Sequence, residues 1–475
     1  MSGISLGRVT TLLLLGRAAG YVLALANSVI LARVLGVERL GAYAYAMGVA
    51  ALFGLLPNMG ISTLVTRAIA RDPADAGVTR AAVRAQFLLA AGVLLVIPAF
   101  AALLPGQPVP LGYVVLAAAQ LAVGTLSWPY LAVLAGRARY DRVAVADLAA
   151  GAAGTVAVLA AAALQGGVGA FLWAHVLAAA FAVMVARRAA FPFVPRERRE
   201  PLRLATLFRE AVPFGAAAVV QSVYARLDIL LLGQMASTAA LGLYSAAYKP
   251  VNLAVYFGAT VAGTLLPVMA QPREPAMPAS FERAVRGLAA AAPAMALTLS
   301  GLAGSLLGGL YGSDFAVAAP ILSVLAFSAA ANWLYAPLGV ALQARGRERG
   351  WLAGLAGALA LNAAGNFWAI PRWGAIGAAA ATLTSEVALV VFGALLIRRG
   401  LRLPLSLRPV LLALGAAGVA GVVRWGLGGV GPVPATALAL AVYGGLVVLF
   451  RIVTFEDVGV VVGWLRQAAF GWSRI

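Results

Sequence analysis

The sequence has no cysteine, a single histidine (His175) and a single lysine (Lys249) among its 475 residues. Disulfides, zinc–thiolate sites and cysteine nucleophiles are therefore excluded, and a catalytic metal cluster is disfavoured. The G-x-x-x-x-G-K-[ST] loop of nucleotide hydrolases is also missing, so we expect no ATP hydrolysis by this chain. These patterns imply no cofactor, and we predict that the chain is not an enzyme.

Charge is scarce as well, because charged residues make up only 11% of the chain and hydrophobic residues 63%. Mean hydropathy is +0.95. Apolar runs of about 18 or more residues recur along the chain, which is typical of transmembrane helices and not of membrane-barrel strands. In such a protein the net charge of +19 indicates the positive-inside rule, and we expect no nucleic-acid partner.

We predict an all-α polytopic membrane protein with about 14 transmembrane helices. With the N-terminus in the cytoplasm, nearly all loop arginines fall on the cytoplasmic side, so both termini are expected there. The expected spans are 10–34, 41–66, 80–104, 111–135, 142–164, 168–186, 208–232, 240–269, 282–308, 316–341, 350–370, 374–397, 407–427 and 433–453.

The longest loop divides the chain near its middle. It is basic and contains Pro192, Pro195 and Pro201, a composition typical of a linker. The resulting organisation is an N-terminal six-helix lobe at 1–186, a basic cytoplasmic linker at 187–207, a C-terminal six-helix lobe at 208–398, two additional transmembrane helices at 407–453 and a cytoplasmic interfacial tail at 454–475.

The two lobes carry similar segments, LARVLGVERLGAYAYAMG and LDILLLGQMASTAALGLYSAAYK. In each, an apolar span ends in Leu-Gly and the next span opens with Gly-x-Tyr. Because each lobe has an even number of spans, such repeats share one orientation. This parallel pseudo-repeat is found in transporters, whose site lies between the lobes.

Arg17 lies about 10 Å along the first predicted helix, and Tyr21 follows one turn later on the same face. A charge at the centre of a membrane helix costs at least about 2.5–3.5 kcal/mol. Arg17 therefore either lines a cavity or snorkels to the cytoplasmic headgroups.

The hairpin around 208–271 contains further intramembrane charges. Arg226 and Asp228 are two residues apart, so they point to roughly opposite sides of their helix, and Arg226 is the best single candidate for a substrate-binding cation. Asp228 and Lys249 have matching depths, which predicts either a structural bridge across the hairpin or, alternatively, a polar stripe of Lys249, Asn252 and Tyr256 open to a cavity.

Glu386, midway along the twelfth span, is either a proton or sodium site or a structural partner for an arginine. The deep cations are Arg17, Arg226 and Lys249, and the deep anions are Asp228 and Glu386. The first four spans contain no deep carboxylate. This balance favours an anionic substrate over an organic cation.

The sequence resembles the polysaccharide (O-antigen type) flippases of the multidrug/oligosaccharidyl-lipid/polysaccharide exporter superfamily. The resemblance rests on ARVLGVERLGAY, NMGISTLVTRAIAR, RLDILLLG, ALGLYSAAYK, LYGSDFAVAAPILSVLA and ALQARGRERG. It implies two facing lobes, alternating access, and export of an undecaprenyl-pyrophosphate-linked oligosaccharide across the bacterial cytoplasmic membrane. It also implies pyrophosphate-binding cations, for which Arg17, Arg226 and Lys249 are the matching positions.

Several alternatives stay open. A lipid II flippase and a cation-coupled multidrug antiporter belong to the same superfamily, whereas a non-transporting scaffold of a polymer-assembly complex belongs to a different class. The expected partners are the lipid-linked oligosaccharide and membrane lipids, with a polysaccharide polymerase and assembly proteins as further candidates.

Overall fold

Every regular element in the described residues is a helix. The computed structural model describes residues 6–54, 56–58, 60–194, 204–209, 222–263, 269, 277–401, 403 and 405–453. The side chains of 6–19, 21, 277, 278 and 280 lie outside this description.

The helices follow one another with short connections. They are α1 (Leu6–Leu52), α2 (Ile61–Arg71), α3 (Ala76–Leu103), α4 (Leu111–Thr125), α5 (Trp128–Gly136), α6 (Tyr140–Ala163), α7 (Val168–Ala190), a 3₁₀ turn (Phe191–Phe193), α8 (Leu227–Met235), α9 (Thr238–Gly263), α10 (Met277–Gly301), α11 (Ala303–Tyr311), α12 (Ala319–Ala344), α13 (Glu348–Leu396), α14 (Leu407–Gly426) and α15 (Pro432–Leu449). A further 3₁₀ segment (Ser313–Ala318) precedes α12, and a π-helical turn (Ile397–Leu401) follows α13.

Within the described residues, nine helical segments are long and apolar enough to cross a membrane. The prediction of an all-α multi-pass membrane protein is therefore confirmed. One segment has 54 residues, and α13 within it bends at Gly374, where φ is 56° and ψ is −132°. The spans predicted at 350–370 and 374–397 are thus two halves of one bent helix.

Aromatic residues surround this bend. The rings of Trp368 and Trp373 meet edge to face at 5.0 Å. The guanidinium of Arg372 lies 4.9 Å from the centroid of the Trp368 ring and donates to the Trp368 carbonyl at 2.6 Å. Such aromatic and basic side chains are typical of the boundary between membrane and water.

α1 also bends at a glycine, because Gly36 has φ 71° and ψ 179°. The span predicted at 41–66 is not one helix, since α1 ends at Leu52 and α2 begins at Ile61. Pro57 lacks the backbone N–H that a continuing helix would need. The side chain of Asn58 instead accepts a hydrogen bond from the backbone N–H of Ser62 at 3.0 Å.

The chain divides into two compact units, Met1–Ser245 and Ala246–Ile475, called unit 1 and unit 2 below. In unit 1, α1 packs on α4, α6 and α8; in unit 2, α12 packs on α10 and α13. The lobe boundaries at 1–186, 208–398 and 407–453 stay predictions. Residues 195–203 of the linker and the whole tail at 454–475 lie outside the described residues.

The repeated glycine segments meet within unit 1. A Cβ atom added at Gly41 would overlap the carbonyl oxygen of Thr238, and one added at Gly242 would overlap the carbonyl oxygen of Val37. Val37 precedes Gly41 by one helical turn, as Thr238 precedes Gly242. The two repeats therefore pack reciprocally, each placing its glycine against the backbone of the other.

Candidate functional site

Arg226 occupies a break in the helical backbone of unit 1. Helical geometry ends at Tyr224, α8 begins at Leu227, and Arg226 between them has φ −132° and ψ −9°. At 1.5 Å per residue the break lies about 14 Å from the far end of α8, which for the span predicted at 208–232 corresponds to about half the bilayer core of about 30 Å. Non-helical backbone at this depth is tolerated only inside protein or beside a wet cavity.

The neighbouring carboxylate is satisfied by unit 1 itself. Asp228 is only 4% exposed; its Oδ2 accepts a hydrogen bond from the Tyr244 hydroxyl, and its Oδ1 accepts one from the Ile229 N–H at 2.8 Å. In the described part of the chain, no hydrogen bond or salt bridge engages the half-buried guanidinium of Arg226. The carboxylate of Asp228 is thus already hydrogen-bonded, whereas the neighbouring guanidinium of Arg226 can still bind a ligand.

Packing on α1 fixes the position of α8. The Tyr45 ring lies against Gly233, where a Cβ atom would overlap it. Tyr45 is fully buried, and its hydroxyl accepts a hydrogen bond from the Gln234 amide. At the other end of α8, Ile229 fills the space beside Gly48. These contacts hold the first turn of α8, and with it Arg226 and Asp228, in one orientation.

Arg17 and Tyr21 lie on α1, but their side chains lie outside the described part of the structure. Their predicted roles in the cavity stay predictions.

In unit 2, Lys249, Asn252 and Tyr256 follow one another on α9 at the spacing of one helical face. Lys249 and Asn252 are exposed, and Tyr256 is half-buried. The polar stripe open to a cavity stays a prediction. The Asp228–Lys249 bridge stays a prediction, although both carboxylate oxygens of Asp228 already have donors within unit 1.

Pro250 adjoins this stripe and lacks the N–H that would bond the carbonyl one turn earlier. Further along α9, the indole Nε1 of Trp333 donates to the Ala254 carbonyl at 2.8 Å. The same ring lies against Gly258, where a Cβ atom would overlap it. Trp333 therefore anchors the second half of α9 on α12.

Glu386 belongs to a buried polar cluster in unit 2. It is 6% exposed, and its Oε2 accepts a hydrogen bond from the Ser328 hydroxyl at 2.8 Å. Asn366 donates to the Asn362 amide oxygen at 2.9 Å, and Asn362 donates to the Ser385 hydroxyl at 3.4 Å. Two hydrogen-bonded groups, Glu386–Ser328 and Ser385–Asn362–Asn366, therefore lie on α12 and α13 and adjoin at the neighbouring residues Ser385 and Glu386.

One oxygen of this cluster is unsatisfied. The Oδ1 of Asn366, whose side chain is fully buried, has no hydrogen-bond partner among the described residues. An unpaired buried oxygen costs about 1–3 kcal/mol, so this position is suited to a proton donor or a cation. Sequence analysis missed Asn362 and Asn366, although their i,i+4 spacing on an apolar helix was a visible signal.

The sequence matches a known protein family. A family model described as "Polysaccharide biosynthesis protein" matches residues 30–320, more than half of the 475-residue chain. The chain belongs to this family. Among curated proteins, no sequence is significantly similar to the chain.

Several solved structures share the fold of this chain. "Lipid II flippase MurJ, inward closed conformation" superposes with a TM-score of 0.74 and 12% identity over 92% of this chain and 99% of that one. An inward-facing multidrug resistance MATE transporter gives a TM-score of 0.64 and 15% identity over 85% and 96%. An outward-facing MATE transporter gives 0.56 and 14% over 84% and 94%.

Sequence identities this low establish a shared fold alone. The family match shows in addition that the chain belongs to a polysaccharide biosynthesis family. The predicted membership of the exporter superfamily is confirmed. The fold of this multi-pass membrane protein is shared with flippase and transporter structures.

Proposed function

We propose that this protein moves an undecaprenyl-pyrophosphate-linked oligosaccharide from the cytoplasmic to the outer leaflet of the bacterial cytoplasmic membrane by alternating access. The observation that carries the proposal is the guanidinium of Arg226. It lies at a helix break within the predicted span 208–232, half-buried and without a hydrogen bond or salt bridge in the described residues. A guanidinium in that setting suits a pyrophosphate, because its N–H fork matches phosphate oxygens.

The comparisons support the same substrate class. The family description names polysaccharide biosynthesis, and MurJ is described as a flippase of lipid II. In this proposal Arg17 and Lys249 are further pyrophosphate-binding cations, and Tyr21, Asn252 and Tyr256 line the path of the substrate. Both termini lie in the cytoplasm, and a polysaccharide polymerase and assembly proteins act beside the transporter.

The membrane potential supplies part of the driving force. An inside-negative potential pushes the two charges of a pyrophosphate outward, which is worth on the order of 4–5 kcal/mol per 100 mV if both charges cross fully. Protein cations that move with the substrate would reduce this value. No nucleotide is required in this scheme.

Glu386 is the proposed coupling residue. Its carboxylate accepts a hydrogen bond from the Ser328 hydroxyl, and the adjacent residue Ser385 is bonded to the Asn362–Asn366 amide pair, in which Asn366 Oδ1 is unsatisfied among the described residues. Either a proton or a sodium ion would satisfy such a set of oxygens. Occupation of this cluster would then bias unit 2 between its two states.

The alternatives make different demands on Arg226. A multidrug antiporter that exports organic cations has no use for a guanidinium at its substrate site, and a scaffold does not require a cation there. A lipid II flippase would use the same pyrophosphate chemistry, so the glycan accepted by the protein separates it from the proposed function.

The test is transport by the full chain in liposomes. A polyprenyl-pyrophosphate oligosaccharide is placed in one leaflet, and its arrival in the other is measured with a membrane-impermeant glycosidase. We expect exchange by the wild type and by the control Arg39→Ala, which removes an exposed arginine of α1. Arg226→Ala should reduce exchange to the level of protein-free liposomes, and Arg17→Ala should reduce it as well.

Full exchange by a folded Arg226→Ala variant would show that Arg226 is not the cation that binds the pyrophosphate. Absence of exchange by folded wild-type protein would overturn the flippase proposal itself. Organic-cation transport in the same vesicles would then indicate the antiporter, and its absence the scaffold. Supplying lipid II as the second substrate tests the remaining alternative.

A further inference from the structure

A basic cavity of about 350 Å³ lies in unit 1, away from Arg226 and Asp228. Its walls come from the first turns of α3, from α5, from the end of α7 and from the 3₁₀ turn that follows. Three arginines line it, Arg80, Arg84 and Arg187, together with the side chains of Thr79 and Tyr130. None of the lining residues in the described part of the chain is acidic.

The arginines are arranged so that their charges add. Arg80 and Arg84 are one turn apart on α3, so they share a face, where like charges at this spacing destabilise a helix by a few tenths of a kcal/mol. Arg187 brings a third charge from the last turn of α7. A bound anion would convert this mutual repulsion into attraction.

Other arginines near this end of unit 1 are already engaged. Arg137 donates to the carbonyls of Pro73 at 2.6 Å and Phe193 at 3.3 Å. Arg139 forms a salt bridge with Asp141 at 2.7 Å, and the guanidinium of Arg142 lies 5.0 Å from the Phe193 ring centroid.

Two of the cavity arginines, Arg84 and Arg187, differ from these, whereas Arg80 donates to the carbonyl of Ala76 at 3.3 Å. Over the described ranges, neither the guanidinium of Arg84 nor that of Arg187 has a hydrogen bond or an ion pair. The positive-inside rule explains why arginines lie at this end of the helices. It does not explain why Arg84 and Arg187 line a cavity without a hydrogen bond or an ion pair in the described residues. Arg188, in the same helical turn as Arg187, is not among the residues that line the cavity.

The cavity also has an apolar side. Phe191, which is 62% exposed, and Val83 line it next to the arginines. α3 and α7 are both long and apolar enough to cross a membrane, and the cavity lies at their terminal turns. A ligand that fits carries a phosphate for the guanidinium groups and hydrocarbon for the apolar wall.

We propose that this cavity binds the phosphate of an anionic membrane lipid. Guanidinium groups bind phosphate through paired hydrogen bonds, and basic pockets between membrane helices bind anionic headgroups at the membrane surface. The phosphate can come from a bilayer phospholipid or from a polyprenyl phosphate carrier. The proposal is independent of transport, because it depends on residues of the cavity alone.

Native mass spectrometry of the full chain in detergent tests the proposal. The probes are phosphatidylglycerol, phosphatidylcholine, undecaprenyl phosphate and inorganic phosphate, each added at increasing concentration. For the wild type we expect saturable binding of phosphatidylglycerol or undecaprenyl phosphate and much weaker binding of phosphatidylcholine. Whichever anionic lipid binds more tightly identifies the source of the phosphate.

The variants are Arg84→Gln and Arg187→Gln, with Arg188→Gln as the matched control. Each cavity variant should weaken binding about tenfold, as expected for one charge-assisted hydrogen bond, and the control should bind like the wild type. The lipid-dependent rise in the thermal unfolding midpoint should fall in parallel, and a lipid-free midpoint equal to that of the wild type shows that the variants remain folded.

Equal lipid binding by the wild type and both cavity variants would overturn the proposal. Equal binding of phosphatidylcholine and phosphatidylglycerol would also overturn it, as would binding of inorganic phosphate alone. None of these results depends on whether the protein moves an oligosaccharide, so failure here is distinguishable from failure of the flippase proposal.

Discussion

Gly41 and Gly242 occupy equivalent positions in the two repeated segments, and each lies against the backbone of the helix that carries the other. The partner of Gly41 is the carbonyl of Thr238, and the partner of Gly242 is the carbonyl of Val37. Neither position has room for a side chain. This contact brings the start of α9 directly onto α1.

Gly41→Ala should destabilise the protein, because its Cβ atom would meet backbone, which cannot move aside like a side chain. Overpacking of this kind costs about 1–3 kcal/mol. The measurement is the thermal unfolding midpoint in detergent. Gly20→Ala on the same helix is the control, since nothing lies within 4 Å of its added Cβ atom. If both variants unfold at the same temperature, the contact is not tight.

Gly36→Ala should also lower stability, for a different reason. With φ 71° and ψ 179°, Gly36 has a backbone conformation that is essentially restricted to glycine, and strain of this type costs about 1–3 kcal/mol. The space around the position is open, so steric overlap makes no contribution. An unchanged unfolding midpoint would show that α1 can bend without this conformation.

Tyr244→Phe should leave the buried Oδ2 of Asp228 without its donor and cost roughly 1–3 kcal/mol of stability. Asp228→Asn removes the charge from the same pair. A double-mutant cycle measures their coupling. We expect the double variant to lose less than the sum of the single variants. Strict additivity would mean that the hydrogen bond contributes nothing.

Glu386→Gln keeps the volume of the side chain but removes the ionisable group. If Glu386 couples transport to an ion, the folded variant should lose the dependence of exchange on a proton or sodium gradient. Driven exchange should fall to the rate set by membrane potential alone. The assay is the liposome exchange experiment with and without each gradient. A variant with the same gradient dependence as the wild type would leave Glu386 a structural residue.

Much of the architecture could be predicted from the sequence. Apolar length is enough to identify membrane helices, because the bilayer has a fixed thickness. The Leu-Gly and Gly-x-Tyr pattern identified the repeat. Their direct contact was not predicted, since periodicity gives the faces of a helix but not the partner that each face meets.

Side-chain networks were harder to predict. The Asp228–Tyr244 hydrogen bond joins residues on either side of the turn between α8 and α9, where Lys249 was an equally reasonable partner. The cluster around Glu386 draws Ser328 from a different helix. For Arg80 and Arg187, the sequence gives the sign and the side of the membrane, whereas the concave surface between them depends on how α3 and α7 pack.

The bend of α13 at Gly374 has a practical consequence for topology mapping. The chain passes from one half of the helix to the other with no connecting loop, and Trp368, Arg372 and Trp373 cover the bend. A protease has no extended segment to cleave there, and an inserted epitope tag would interrupt the helix. The connections at 104–110 and 427–431, which lie between separate helices, are better positions for a reporter that tests whether these loops face outward, as the predicted topology requires.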